Sequence, residues 1–465
     1  MFVVLSFILF IGIVMIATIV LRDASKYAPD LLSMRNLFLA GLVVFQFTSG
    51  IIAFLLPDYS NPFSISEYEG PAIEYTIILF LFTFGFLGIY RSGFIANIIV
   101  RKVNIPDVNT AWFRLIVLSI VLFFLGLVCR LFGGYVPVVG LFIYMIGASF
   151  FAFATGMAAW AWAPRMWNPL PLFVTGFVSL GGLAVLFTDS FGRRDMLGIV
   201  IAFIWGSYYS HWRYGSFKKL VFRFACISVL GMLFLSAYTS TRFTFGLEMA
   251  SLSSRVRALA DADIGQGLQD LFSGQNAGMY SMYFISTRPE RIEVDNLHSV
   301  KYFFSLPYPR RLWPNKPDAL ALTSVDEVHA PGRPKGWNIG PGIVGHMVND
   351  NIFIALPLYT CILAVFLKVC DGLLSKYAHI PYVVLPMGVS LGQVIAIPRG
   401  ELGNFFAKTV LYIVGGWIVM IIVIYAMRLF GGSSAPVDDE EHYDQWENDP
   451  ADEYTDQGFE PEAHH

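Results

Sequence analysis

The feature that most constrains this chain is the recurrence of apolar runs long enough to cross a lipid bilayer. Runs of about 18–22 residues span a hydrocarbon core roughly 30 Å thick as helices. Eleven occur, near 2–21, 36–56, 73–90, 112–129, 136–160, 170–188, 195–210, 220–238, 352–368, 380–397 and 405–427. Within lipid the backbone must satisfy its own polar groups, which leaves helices or a closed barrel. Barrel strands read as short alternating segments, whereas these runs are continuous. The expected class is all-α: a polytopic membrane helical bundle of about 11 transmembrane helices with one large external loop. Composition agrees, with only 14% charged and 56% hydrophobic residues. Soluble domains carry roughly 25% charged residues. This excludes a disordered chain, a disulfide-dense secreted scaffold and a nucleic-acid binder with a basic face.

Positive charges in short loops set the orientation. Arg22, Lys26 and Arg35 follow the first run, and Arg91, Arg101, Lys102 and Arg114 flank the third and fourth. Arg213, Lys218, Lys219 and Arg223 lie between the seventh and eighth. Placing these loops in the cytoplasm puts Met1 outside and the C-terminus inside. The first run has no basic segment before it and Arg22 and Lys26 after it, so it reads as a retained span rather than a cleaved signal. Residues 57–72 then face outward with Asp58, Glu67 and Glu69 and no Lys or Arg. Three arginines break the rule: Arg193 and Arg194 in one outer turn, and Arg399 in another. Orientation does not account for them, so they are candidates for chemistry.

The chain thus divides into spans 1–8 over residues 1–238, an outer excursion over 239–350, spans 9–11 over 351–430 and a tail over 431–465. In the excursion, Val256, Leu259, Ile264, Leu268 and Leu271 fall close to helical spacing and predict one amphipathic helix from Ser253 to Phe272, stopped by Gly274. The excursion is expected to form short helices lying on the outer membrane surface. The tail carries twelve Asp or Glu and no Lys or Arg, and predicts a disordered cytoplasmic segment. The net charge of −3 therefore joins a basic body to an acidic tail. Cys129, Cys226, Cys361 and Cys370 lie in spans or at their ends, which excludes a disulfide framework in the outer loop. No His or Cys spacing marks a metal site.

The densest cluster of candidate groups is Leu306 to Ala321. Pro307, Pro309, Pro314 and Pro317 forbid regular helix and make a rigid, irregular track. It presents Arg310, Arg311 and Lys316 beside Tyr308 and Trp313. Guanidinium groups bind phosphate oxygens bidentately and lysine supplies a point charge. The competing reading is a basic segment on anionic headgroups, with Tyr308 and Trp313 as interfacial anchors. Arg193 and Arg194 precede the seventh run, where free backbone N–H groups and two guanidiniums suit an anion. Asp189 or Asp195 capping that helix is the structural alternative. Arg399 and Glu401 stand in a very short outer turn, either as a packed salt bridge or as functional groups. From Trp337 to Asn351, three glycines (Gly340, Gly342, Gly345) match a dinucleotide fingerprint only by chance, since no strand precedes them. They suit a chain bending back toward the membrane. His346 there is placed for proton transfer near neutral pH; His298 and His329 have weaker context.

These elements, in this order, resemble the Wzy-type family of O-antigen and exopolysaccharide repeat-unit polymerases. The likeness rests on Pro309-Arg310-Arg311-Leu312-Trp313-Pro314-Asn315-Lys316-Pro317, the glycine-rich re-entry, the turn Arg399-Gly400-Glu401-Leu402 and the earlier Gly192-Arg193. It covers roughly residues 185–427; the first half contributes only hydropathy. Many relatives have an acidic residue where this chain has His346. The resemblance implies a GT-C-like membrane enzyme of the bacterial inner membrane: a metal-independent inverting glycosyltransferase without a cofactor. It would move a growing glycan from undecaprenyl pyrophosphate to the non-reducing end of a new lipid-linked repeat unit. Arg193, Arg194, Arg310, Arg311, Lys316 and Arg399 would hold pyrophosphate, Tyr308 and Trp313 would contact sugar or isoprenoid, and the base stays open between His346 and Glu401. Implied partners are undecaprenyl-pyrophosphate-linked oligosaccharide, membrane lipids, a chain-length regulator and a flippase. An O-antigen-type ligase and a lipid-linked oligosaccharide flippase are the alternatives.

Overall fold

The computed structural model describes residues 1–26, 31–56, 69–105, 111–136, 140–189, 193–241, 252–273, 276–288, 293–327 and 340–430. Among these residues every regular element is helical, and helices stand at all eleven apolar runs. Helix α1 is Phe2–Lys26. The second run is α2 (Met34–Leu42), a π-helical turn (Val43–Thr48) and α3 (Ser49–Leu55). Then come α4 (Glu69–Ser92), the short α5 (Phe94–Lys102), α6 (Trp112–Phe132), α7 (Gly140–Trp162), α8 (Pro169–Asp189), α9 (Arg193–Ser210) and α10 (Phe217–Thr241). The long excursion between the eighth and ninth runs holds α11 (Leu252–Ala260), α12 (Ile264–Ser273), α13 (Ala277–Thr287), α14 (His298–Ser305), α15 (Leu320–Glu327) and α16 (Gly342–Asn349). The last runs are α17 (Ile352–Lys376), α18 (Pro381–Ala396) and α19 (Leu402–Phe430). The chain forms two units, Met1–Trp417 and Ile418–His465, and the site residues described below lie in the first.

Among the described residues, nine helical stretches are long and apolar enough to cross a membrane. The other two of the eleven runs are α9, which opens on Arg193, Arg194 and Asp195, and α18, with 16 residues. These two pack on each other and on α7. Small residues allow the approach: a Cβ on Gly206 of α9 would strike the Gly156 carbonyl of α7. Trp205, fully buried, donates from Nε1 to the Val384 carbonyl of α18 at 2.9 Å. Helix α18 is buried along nearly its whole length by protein neighbours.

The excursion departs from expectation twice. The single helix expected over Ser253–Phe272 is two helices. Asp263 interrupts it, accepting from the Gln266 N–H at 3.0 Å through its carboxylate and from Gly267 at 2.9 Å through its carbonyl. Aspartate is a strong N-cap, so the helix restarts at Ile264. Nor do all the short helices lie on the surface. Helix α13 is buried against α3, α4 and α16, with Gly278 N–H donating to Ser49 Oγ at 2.9 Å. Every residue of α16 is buried. Helix α13 has no polar face, and such helices belong in an interior rather than at an interface; in α16 the polar His346 and Asn349 are buried with hydrogen-bond partners.

One carboxylate ties the other ends of the helices together. Asp371 of α17 accepts from the Met34 and Arg35 N–H groups at 2.7 and 3.0 Å and from the Tyr90 hydroxyl at 2.7 Å. It satisfies the first turn of α2 from another helix, beside the local cap Ser33. Asp371→Ala is expected to cost about 2–4 kcal/mol, and Ser33→Ala about 1 kcal/mol, as measured by thermal unfolding in detergent.

Candidate functional site

The site is assembled where α14, α16 and the start of α17 meet the turn before α19. Gly342 opens α16 at φ 70°, a conformation L side chains avoid. This turns the helix inward so that Ile343 N–H donates to the Pro398 carbonyl at 3.0 Å. His346 is thereby wholly enclosed. Its Nδ1 lies 2.7 Å from Ser299 Oγ, and its Nε2 lies 3.1 Å from the Gly400 carbonyl and accepts from Leu402 N–H at 3.1 Å.

Asp350 anchors the same group of residues. Its Oδ2 accepts from Ser299 N–H at 2.8 Å and from the Tyr359 hydroxyl, and its Oδ1 accepts from Asn349 Nδ2 at 3.1 Å. Asn349 Oδ1 in turn accepts from the buried Arg288 at 2.7 Å. Burial pushes the Asp350 carboxyl up, and the bonds from Tyr359, Ser299 and Asn349 offset part of that. Among the described residues, only Leu297 (φ 57°) and Asn351 (φ 71°) are non-glycine residues at positive φ. They stand next to α14 and to Asp350, and Leu297 N–H donates to the Asp350 carbonyl at 3.2 Å. Such positions cost about 1–3 kcal/mol each and persist where surrounding contacts hold them. The backbone strain brackets the polar network.

Glu401 faces this network from the turn. Its Oε2 accepts from Ala321 N–H at 2.9 Å; its Oε1, buried 3.9 Å from His346 Nε2, has no hydrogen-bond partner among the described residues. Burial pushes the carboxyl up to about 7, against the lowering effect of the Ala321 bond. Burial drives His346 the other way, down to about 3. The Ser299–His346 contact has the spacing of a nucleophile–base pair. An imidazole that weak, with both nitrogens engaged, is a brace instead of a base. Glu401 has the affinity for a proton near neutral pH that general-base work needs.

Above Glu401 runs the proline track, a succession of turns as the prolines predict. Arg310 pairs with Asp318. The Asp318 carbonyl meets His298 Nε2 at 2.9 Å, so the track is fastened to α14, one residue from Ser299. Tyr302 lies in the same region; burial, then the Glu401 and Asp318 carboxylates, push its phenol up to about 12. Arg311 is exposed, Lys316 Nζ donates to the Tyr308 carbonyl at 2.9 Å, and the exposed Tyr308 and Trp313 rings meet edge to face at 6.2 Å. Arg399 is half-buried over Phe45, its guanidinium carbon 5.8 Å from the ring centroid. Glu401 makes its contacts with Ala321 and His346, so the Arg399–Glu401 salt bridge weighed from the sequence does not form among the described residues. Arg193 and Arg194 open α9, but their side chains lie outside the described residues, as do Asp189, Gly192 and His329.

The structure therefore groups His346 with Glu401 and links Arg310 to them through Asp318 and His298. Sequence reasoning missed Ser299, Asp350, Tyr359 and Arg288. The spacing of four between His346 and Asp350 and the single arginine ending the apolar stretch of α13 were available signals. Against the network lies a cavity of about 140 Å³ between α14, α17 and α19. Ser299 and Tyr359 line it on the side of the network, and with Phe303, Phe304, Ile362, Leu363 and Phe406 they give it an almost wholly apolar surface.

A carboxyl raised from 4.5 to about 7 stabilises the fold below its unfolded value, and that contribution is lost as pH rises through 7. Glu401→Gln, neutral at every pH, should therefore raise the thermal midpoint at pH 8 and change it little at pH 5. The gain is bounded by about 3 kcal/mol. Thermal unfolding at the two pH values checks this. No protein-family model, curated protein or solved structure matches this chain, so the reading of the site rests on its own residues.

Proposed function

We propose that the protein is a glycan polymerase that transfers a growing polysaccharide from undecaprenyl pyrophosphate to the non-reducing end of a new lipid-linked repeat unit. The observation that carries this reading is Glu401: a buried carboxylate, raised toward neutrality, with one oxygen unpartnered among the described residues and the other held by Ala321, just past the cationic track. In the proposed step the acceptor hydroxyl gives its proton to Glu401 as its oxygen bonds to the donor's anomeric carbon. The bond from that carbon to pyrophosphate breaks, with inversion, and the electron pair leaves on undecaprenyl pyrophosphate. Arg310, Arg311 and Lys316, with Arg399, Arg193 and Arg194, would stabilise the charge that develops there. His346, Ser299 and Asp350 hold the turn. The apolar cavity suits a stretch of hydrocarbon chain, and Tyr308 and Trp313 offer flat faces to a sugar or isoprene unit.

The reading places the protein in a bacterial inner membrane with Met1 outside, the C-terminus in the cytoplasm and the site on the outer face. A chain-length regulator and a flippase would work beside it. A ligase would use the same donor with another acceptor.

Arg310→Ala and Glu401→Gln, each expressed and membrane-inserted, are expected to lower transfer by about 10²–10³-fold. On a gel of surface polysaccharide the long chains should disappear while single repeat units persist. An unchanged ladder from either variant would contradict its assigned role. Loss of a flippase would instead strand undecorated units on the cytoplasmic side, and loss of a ligase would remove single units from the final acceptor as well. For orientation, Ser60→Cys in a background without the native cysteines should react with an impermeant maleimide on intact spheroplasts, whereas Lys218→Cys should not. The reverse labelling would refute the orientation.

A further inference from the structure

The second apolar run is broken from within. Over Val43–Thr48 the helical ladder widens to π register, a rare arrangement found mostly at functional positions. Two adjacent side chains of this turn reach two adjacent residues of the outer turn before α19. Gln46, fully buried, donates from Nε2 to the Pro398 carbonyl at 2.6 Å. Phe45 lies under the Arg399 guanidinium, within the range of a cation–π contact. Gln46 is itself fixed, because the Tyr75 hydroxyl donates to its carbonyl at 2.8 Å and lies 3.1 Å from its Oε1. Gly342 has no room for a side chain because the Gln46 amide occupies that place. The Pro398 carbonyl thus accepts from Gln46 on one side and from Ile343 N–H on the other. Both of its acceptor directions are used.

A polar amide inside a membrane span is costly unless its hydrogen bonds are satisfied. Here the amide nitrogen serves the segment that ends in Glu401, while the Tyr75 hydroxyl of α4 holds the amide oxygen. We infer that Gln46 is a positioning residue: by holding Pro398 it sets the direction of Arg399 and the depth of Glu401, so the first half of the chain takes part in the site. This inference rests on the glycosyl-transfer reading above. If Gln46 served packing alone, an apolar side chain of equal length would replace it without kinetic consequence.

The test uses full-length protein in nanodiscs with synthetic undecaprenyl-pyrophosphate-linked oligosaccharide as both donor and acceptor. The quantities read are kcat, KM and the midpoint of the acidic limb of the kcat–pH profile. Gln46→Met is expected to lower kcat by about tenfold or more, with KM within about threefold. It should also move the acidic midpoint down by about half a pH unit or more, as water reaches Glu401. Wild-type kcat and midpoint in Gln46→Met, alongside an inactive Glu401→Gln, would overturn the inference and leave the glycosyl-transfer reading intact. A lowered kcat with an unmoved midpoint would show that Gln46 does not set the depth of Glu401 and would also overturn the inference. Full turnover in Glu401→Gln would overturn the glycosyl-transfer reading, and the inference with it. Should Gln46→Met fail to fold, Tyr75→Phe removes the hydroxyl that orients Gln46. It must shift the midpoint in the same direction, and an unmoved midpoint overturns the inference.

Discussion

The Asp350 carboxylate is the interaction on which the site depends. It gathers a backbone N–H from α14, a hydroxyl from α17 and an amide from the end of α16 at one point. A buried acceptor without such donors would be strongly destabilising, so the three elements are coupled. Ser299 can meet His346 only because Asp350 holds the first turn of α14. His346 in turn braces the turn that carries Glu401. The strained residues Leu297 and Asn351 lie where this coupling is imposed, with the cost of their conformations offset by the bonds they permit.

The network also divides labour between two residues with similar claims as a proton acceptor. Burial acts on His346 and Glu401 in opposite senses, because it disfavours imidazolium in one and carboxylate in the other. The histidine is left neutral and hydrogen-bonded, while the carboxyl has an oxygen without a partner among the described residues and an affinity for protons near neutral pH. The same enclosure therefore makes one group inert and the other suited to exchange.

Much of the fold was legible in the sequence, because length and apolarity alone identify helices in lipid. All eleven runs are helical. The buried helices α13 and α16 were harder to read: each is shorter than a span, and neither has the one-sided pattern that marks a surface helix. Glu401 and Arg399 stood out because charge in a short outer turn is conspicuous. Ser299, Asp350 and Tyr359 did not, since their meaning comes from contacts across 51 positions of chain for the first pair and from backbone angles that composition does not encode. Gln46 carried a visible signal, a lone amide within an apolar run, but its purpose depends on a widened helical turn.

The brevity of α18 has a consequence of its own. A helix of 16 residues rises only about 24 Å, roughly 6 Å short of a full hydrocarbon core. With its start at the cytoplasmic interface, as in the proposed orientation, such a helix would leave the turn before α19 in a recess and not at a flat surface. In the proposed reaction, water is the competitor of the sugar acceptor, and its attack would release a free glycan and end the chain. Sinking Arg399 and Glu401 below the membrane plane would limit that competitor to what the recess admits, so the shortness of one helix would favour chain growth over hydrolysis.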